Sequence, residues 1–166
     1  MYGRSRSRPE ERRWTGPATG RDRRSHGGPG GEGEGVPSER KSVGRRVLVA
    51  DDVAAVRAFL QLALTEQGYE VVLAADGGTA LQLAREMRPD VILLDWVMPR
   101  MNGAQVLQAL RRDPQLRQVP VILMTGSVGV DEITSEFGVR WVLEKPFGID
   151  DLFVTLEDAL AAAEPA

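Results

Sequence analysis

The chain has no cysteine. That excludes a disulfide framework, a thiolate zinc centre and a cysteine nucleophile, and it agrees with a reducing cytoplasm. It has one histidine, His26, in a stretch with almost no large apolar residues, so a histidine-dependent catalytic domain is excluded as well. Aromatics are scarce at 5%. Lysine is nearly absent: 19 arginines stand against Lys41 and Lys145 alone. The longest apolar runs are five or six residues, far short of the roughly 20 that cross a bilayer. The N-terminal arginines lead into no apolar stretch, so no secretory signal is expected.

What is present is unevenly distributed. Residues 1–44 hold 10 of the 18 glycines and 4 of the 10 prolines, and their only large apolar residues are Met1, Tyr2, Trp14, Val36 and Val43. Such a set cannot offset the entropy of ordering, so an Arg/Gly-rich disordered tail is expected over 1–44 and one folded domain over 45–163. The charge divides at the same place. The tail carries 10 basic and 6 acidic side chains, a net of +4, whereas the rest carries 11 basic and 18 acidic, a net of −7. An acidic domain argues against a phosphate-backbone binder. Only the tail, with Arg4, Arg6, Arg8, Arg12, Arg13, Arg21, Arg23, Arg24 and Trp14, has the composition for nucleic acid.

From residue 45 onward short apolar runs alternate with helical spacing. The runs are 47–50, 70–74, 91–94, 119–124 and 141–143. Those at 47, 91 and 121 are continuous rather than alternating, as in parallel strands covered by helices on both faces. Between them Val53, Val56, Leu60 and Leu64 recur at steps of three and four, as do Ala80, Leu81, Ala84 and Met87, then Val106, Leu107 and Leu110. A short helix is expected at 128–137, and Leu152, Leu156, Ala159 and Leu160 mark the last. Gly68, Pro89, Pro114 and Gly138 supply the stops. Five strand–helix alternations predict an α/β, doubly wound, five-stranded parallel sheet. Ligands of such sheets bind outside the carboxyl ends of the strands.

The polar residues at those ends are therefore the candidates. They are Asp51 and Asp52 after the first strand, Asp95 after the third, Thr125 after the fourth and Lys145 after the fifth. Asp76, after the second, reads as a helix cap, and Asp52 is expected to cap the first helix besides any other role. A lone strand-end aspartate is usually such a cap, but the joint pattern lies along one edge of one sheet. Lys145 is the only lysine of the folded part, which suggests a need for a compact ammonium. Converging carboxylates repel unless a cation joins them. An all-oxygen donor set without sulfur or imidazole favours a hard ion, Mg²⁺ above others. A carboxylate, a hydroxyl and an ammonium around such an ion make a phosphoryl-transfer site, and aspartate can itself be the nucleophile in such a site.

The set 47–52, Leu94-Asp95-Trp96-Val97-Met98-Pro99, Met101-Asn102-Gly103, Met124-Thr125-Gly126 and Lys145-Pro146-Phe147 resembles the receiver domain of two-component response regulators, the CheY-like fold. The resemblance covers the whole folded part. It implies strand order 2-1-3-4-5, with Asp95 accepting a phosphoryl group from a histidine kinase or phosphotransfer protein. It implies Asp51, Asp52, Asp95 and the backbone carbonyl of Val97 as Mg²⁺ ligands, Thr125 and Lys145 as phosphoryl-oxygen partners, and a cis bond before Pro146. Pro99 and Gly103 would shape the loop after the third strand, and Asn102 would cap the third helix.

Two features depart from the family. The aromatic usual three residues before the lysine is Val142 here, and Trp141, one residue earlier, should face the other way by strand alternation. The stretch from Thr125 to Lys145 is slightly short for the family. Val97 and Ser127 occupy positions that tune hydrolysis in the family, and Val97 has no polar group to orient water, so a long-lived phosphoryl state is expected. Only 161–166 follow the last helix, so output through protein contacts is expected, without enzymatic turnover of an external substrate. The downstream protein is not legible and homodimerisation is left open. Two alternatives stand beside this reading. One is an Mg²⁺-dependent aspartyl-phosphate phosphatase or phosphotransferase, although Asp95 is followed by Trp96-Val97 rather than a second aspartate. The other is nucleic-acid binding through the basic tail.

Overall fold

The computed structural model describes residues 44–126 and 129–165. The remainder of the 1–44 tail, and Ser127 with the first expected residue of the fourth helix, lie outside the described residues. Ten elements alternate along the chain: β1 (Arg46–Ala50), α1 (Ala54–Glu66), β2 (Glu70–Ala74), α2 (Gly77–Met87), β3 (Val91–Asp95), α3 (Gly103–Arg112), β4 (Val121–Thr125), α4 (Val130–Phe137), β5 (Trp141–Glu144) and α5 (Ile149–Ala163). The strands form one sheet in the order β2-β1-β3-β4-β5, every neighbouring pair parallel.

The continuous apolar runs are explained by the two layers they serve. Side chains alternate across a strand. Val47, Val49, Val91, Leu93, Ile122 and Met124 point to the layer that holds Leu60 and Leu64 of α1 and Leu152 and Leu156 of α5. Leu48, Ala50, Ile92, Leu94, Val121 and Leu123 point to the opposite layer, which holds Ala80 and Ala84 of α2, Val106, Leu107 and Leu110 of α3 and Ile133 of α4. Both faces of the three central strands are thus sealed, and each large side chain removed from water here contributes about 1.5–3 kcal/mol.

The helix boundaries follow local chemistry. The Asp76 carboxylate accepts the Thr79 N–H at 2.8 Å and the Thr79 hydroxyl at 2.9 Å, the expected cap, and α2 starts at Gly77. Asn102 and Gln105 form a reciprocal capping box at α3. Gly68 and Gly138 have φ of 87° and 59°, the left-handed region that ends α1 and α4. One expectation fails. Asp52 does not cap α1: Val53 is the N-cap residue, with no side-chain cap bond. The Val53 N–H bonds instead to Asp51 Oδ1 at 2.8 Å, which leaves the exposed Asp52 carboxylate turned to another role. No helix among the described residues is long and apolar enough to cross a membrane.

Candidate functional site

Strand register brings the predicted residues together. Ala50 pairs with Leu94, so Asp51 and Asp95 follow side by side. Thr125 pairs with Glu144, and the Lys145 N–H donates to the Thr125 carbonyl at 2.7 Å, which carries the β4–β5 ladder one step beyond the sheet. The Lys145–Pro146 peptide is cis, as the resemblance implied.

At this edge the carboxylates of Asp51, Asp52 and Asp95 each offer an oxygen within 4.8 Å of the others. Asp51 is fully buried and Asp95 nearly so, while Asp52 is exposed at the rim. Lys145 Nζ bridges the two buried groups, 2.6 Å from Asp51 Oδ2 and 3.2 Å from Asp95 Oδ1. Arg57 donates to the Asp51 carbonyl at 2.7 Å and holds that backbone from the α1 side. Thr125 is buried beside the cluster at the end of β4. Val97 is 71% exposed at the mouth.

The electrostatics follow from this packing. Burial, then repulsion from Asp51, raises the Asp95 carboxyl above its ordinary range, while Lys145 and the Val97 N–H pull it back. Burial disfavours the Lys145 ammonium, but the Asp51 hydrogen bond and the charges of Asp95 and Asp51 outweigh it, and its pKa is raised. Lys145 is therefore cationic at neutral pH. One ammonium does not balance three carboxylates, and the donors are all oxygen, so the residues present fit a hard divalent ion.

Three contacts of the site's support go beyond what the sequence showed, although Gly103 itself was expected to shape the loop after the third strand. Trp96, next to Asp95, stacks edge-on against Phe137 at the end of α4, with ring centroids 5.2 Å apart and planes at 69°. Gly103 packs so closely that a Cβ there would lie 2.7 Å from the Asp95 carbonyl oxygen and 2.8 Å from Trp96 Cα. Gly77 is equally confined, 2.8 Å from the Met101 carbonyl oxygen. Strand alternation, by contrast, correctly separates the residues of β5. Val142 packs in the α2–α4 layer and Trp141 in the α1–α5 layer. Trp141 is half-buried and its indole N–H donates to Asp158 at 2.6 Å.

Comparison with known proteins agrees with this geometry. A family model described as the response regulator receiver domain matches residues 47–157. The response regulator PleD of Caulobacter vibrioides is 44% identical over 111 residues, which cover 66% of this chain and 24% of that protein. The response regulator MprA of a Mycobacterium species is 36% identical over 122 residues, 72% of this chain and 52% of that one. The chain thus spans between a quarter and about half of these curated relatives. Among solved structures, the chemotaxis protein CheY4 of Vibrio cholerae superposes with a TM-score of 0.66 at 33% identity, covering 70% of this chain and 99% of that one. The receiver domain of the sensor histidine kinase PA1611 from Pseudomonas aeruginosa, described with a magnesium ion in its active-site cleft, gives 0.67 at 29% identity over 72% and 99% of the two chains. With the strand order, the acidic edge and these matches in agreement, the chain belongs to the response regulator receiver domains of two-component systems.

Proposed function

We propose that this domain is a phospho-accepting switch in a two-component phosphorelay. An Asp95 carboxylate oxygen attacks the phosphorus of a phosphohistidine on a histidine kinase or phosphotransfer protein. The P–N bond breaks, the imidazole leaves, and an aspartyl phosphate forms. Asp51, Asp52, Asp95 and the Val97 carbonyl would hold Mg²⁺, which supplies charge neutralisation for the phosphoryl oxygens when bound. Lys145 neutralises one further oxygen, and Thr125 donates a hydroxyl to another. The observation that carries the reading is the Lys145 ammonium set between Asp51 and Asp95, at 2.6 and 3.2 Å, beside the exposed Asp52.

The phosphoryl group acts by biasing two states of the domain rather than by turning over an external substrate. Output passes through contacts with a downstream protein, in the cytoplasm where kinase and phosphodonor reside. The test is phosphotransfer from the source organism's histidine kinases to the wild type and to Asp95→Asn. Label on the wild type alone supports the proposal. Absence of label on both, with a folded wild type, would reduce the domain to a docking scaffold.

A further inference from the structure

Ten arginines lie among the described residues, and the side chains of five make an ion pair or hydrogen bond. Arg45 pairs with Glu164, Arg46 with Glu70 and Arg85 with Asp113. Arg57 donates to the Asp51 carbonyl and Arg88 to Gln115, while Arg100 makes no ion pair or hydrogen bond through its side chain among the described residues. The side chains of four more, Arg111, Arg112, Arg117 and Arg140, likewise make no ion pair or hydrogen bond among the described residues.

These four are not scattered. Arg111 lies in the last turn of α3, Arg117 in the turn before β4, and Arg140 immediately before β5. All three line one cleft of about 260 Å³ at the amino-terminal edge of the sheet, the edge opposite Asp95, and no acidic side chain lines it. Arg112 joins Arg111 in the adjoining hollow, which Glu136 and Phe137 also line. The α3 carbonyl ends account for two of these charges, because basic residues in a last turn offset the helix dipole. They do not account for Arg117 or Arg140. The Arg140 guanidinium sits 5.0 Å from the centre of the Trp141 ring, and the hydrogen bond to Asp158 fixes that ring in turn. A stacked guanidinium is held with its donors directed and loses less freedom when it binds.

We propose that this cleft binds a small soluble phosphate-bearing anion through Arg111, Arg117 and Arg140. Guanidinium forks match phosphate and carboxylate oxygens alike two by two, and three of them lining one cleft suit the larger oxygen set of a phosphate group better than a halide or a single carboxylate. The volume is below the usual range of roughly 300–1,000 Å³ for drug-sized ligands, and so suits a phosphate or pyrophosphate group. The site shares no residue with the Asp95 cluster, so it stands or falls independently of the phosphorelay reading.

The experiment titrates pyrophosphate into the full chain in EDTA and follows the indole N–H resonance of Trp141 by NMR. A saturable shift is expected in the wild type and in Arg88→Ala. Affinity should fall about tenfold or more, equivalent to at least 1.4 kcal/mol, in Arg117→Ala/Arg140→Ala, and Arg111→Ala should weaken it as well. Three results would overturn the proposal. One is a response reproduced by sodium chloride at matched ionic strength. Another is undiminished pyrophosphate binding in the double variant, which would place it elsewhere on the chain. The last is binding of a glutamate-rich peptide, or of phosphatidic acid vesicles, without binding of pyrophosphate.

Discussion

Replacing Lys145 with alanine leaves the buried Asp51 and Asp95 facing each other without their shared cation. Across 2.6 Å to Asp51 the Coulomb attraction is about 6 kcal/mol at an effective dielectric of about 20, and across 3.2 Å to Asp95 about 5 kcal/mol. Desolvation of the ammonium offsets most of this in the wild type, so the pair's net worth is far smaller than either figure. Truncating one partner is different, because it strands the other charges in a dry site, at a cost of about 3–5 kcal/mol. The Lys145 side chain is 24% exposed, so water reaches the vacated space and the lower end, about 3 kcal/mol, is expected. The assay is urea unfolding in EDTA at low ionic strength, for wild type, Lys145→Ala, Asp95→Asn and the double variant. Lys145→Ala should lose about 3 kcal/mol alone and markedly less on the Asp95→Asn background, with a coupling energy within about 0.5–3 kcal/mol. Saturating Mg²⁺ should narrow the gap between Lys145→Ala and wild type, since a divalent ion restores the missing positive charge. A loss below about 1 kcal/mol would refute the reasoning, because exposed ion pairs are worth no more than that. So would a gap that Mg²⁺ leaves unchanged.

The raised Asp95 pKa has a definite pH signature. The folded state holds the Asp95 proton more tightly than the unfolded chain does. Its ionisation therefore costs stability as pH rises from the ordinary carboxylate value of about 3.9 through the folded value. Metal-free Asp95→Asn should be more stable than wild type near neutral pH, with the difference shrinking as pH falls through the raised folded value and gone below about 4, as read by thermal unfolding across pH. Gly103→Ala should destabilise by about 1–3 kcal/mol and slow phosphorylation of Asp95, because its Cβ meets backbone at 2.7 and 2.8 Å. Gly78→Ala, whose Cβ meets only Asp76 Oδ1 at 3.4 Å, should be neutral or slightly stabilising in the same denaturation assay. Val97→Asn places an amide at the exposed mouth of the site and should accelerate dephosphorylation in Mg²⁺ several-fold. Equal rates would remove the expectation of a long-lived phosphoryl state.

The sheet was legible because two-sided burial writes itself into composition. Val47 to Ala50, Val91 to Leu94 and Val121 to Met124 have no polar face, and the structure covers both of their sides. The site was legible because the topology sends every carboxyl end of a strand to one edge, so Asp51, Asp95, Thr125 and Lys145 needed no contact information to be grouped. Helix starts were less legible. Asp52 has the chemistry of a cap, yet the backbone enters α1 through Val53, whose N–H bonds to Asp51, and no side chain caps the helix. A cap depends on one residue's φ and ψ, which composition does not encode. The close approach of Gly103 to the Asp95 backbone and the Trp96–Phe137 stack depend on loop geometry and on contacts distant in sequence, and no local pattern announces them. Nor did the four unpartnered arginines stand out in the sequence, where arginine is the default cation.

The most direct test of the central claim is incubation of the full chain with a small phosphoramidate donor in Mg²⁺, followed by borohydride reduction and peptide mass mapping. The account predicts one phosphoryl group per chain, mapped to Asp95, abolished in Asp95→Asn and by EDTA. Stoichiometric phosphorylation that persists in Asp95→Asn, or that maps to a residue outside the Asp51–Asp52–Asp95 cluster, would contradict it.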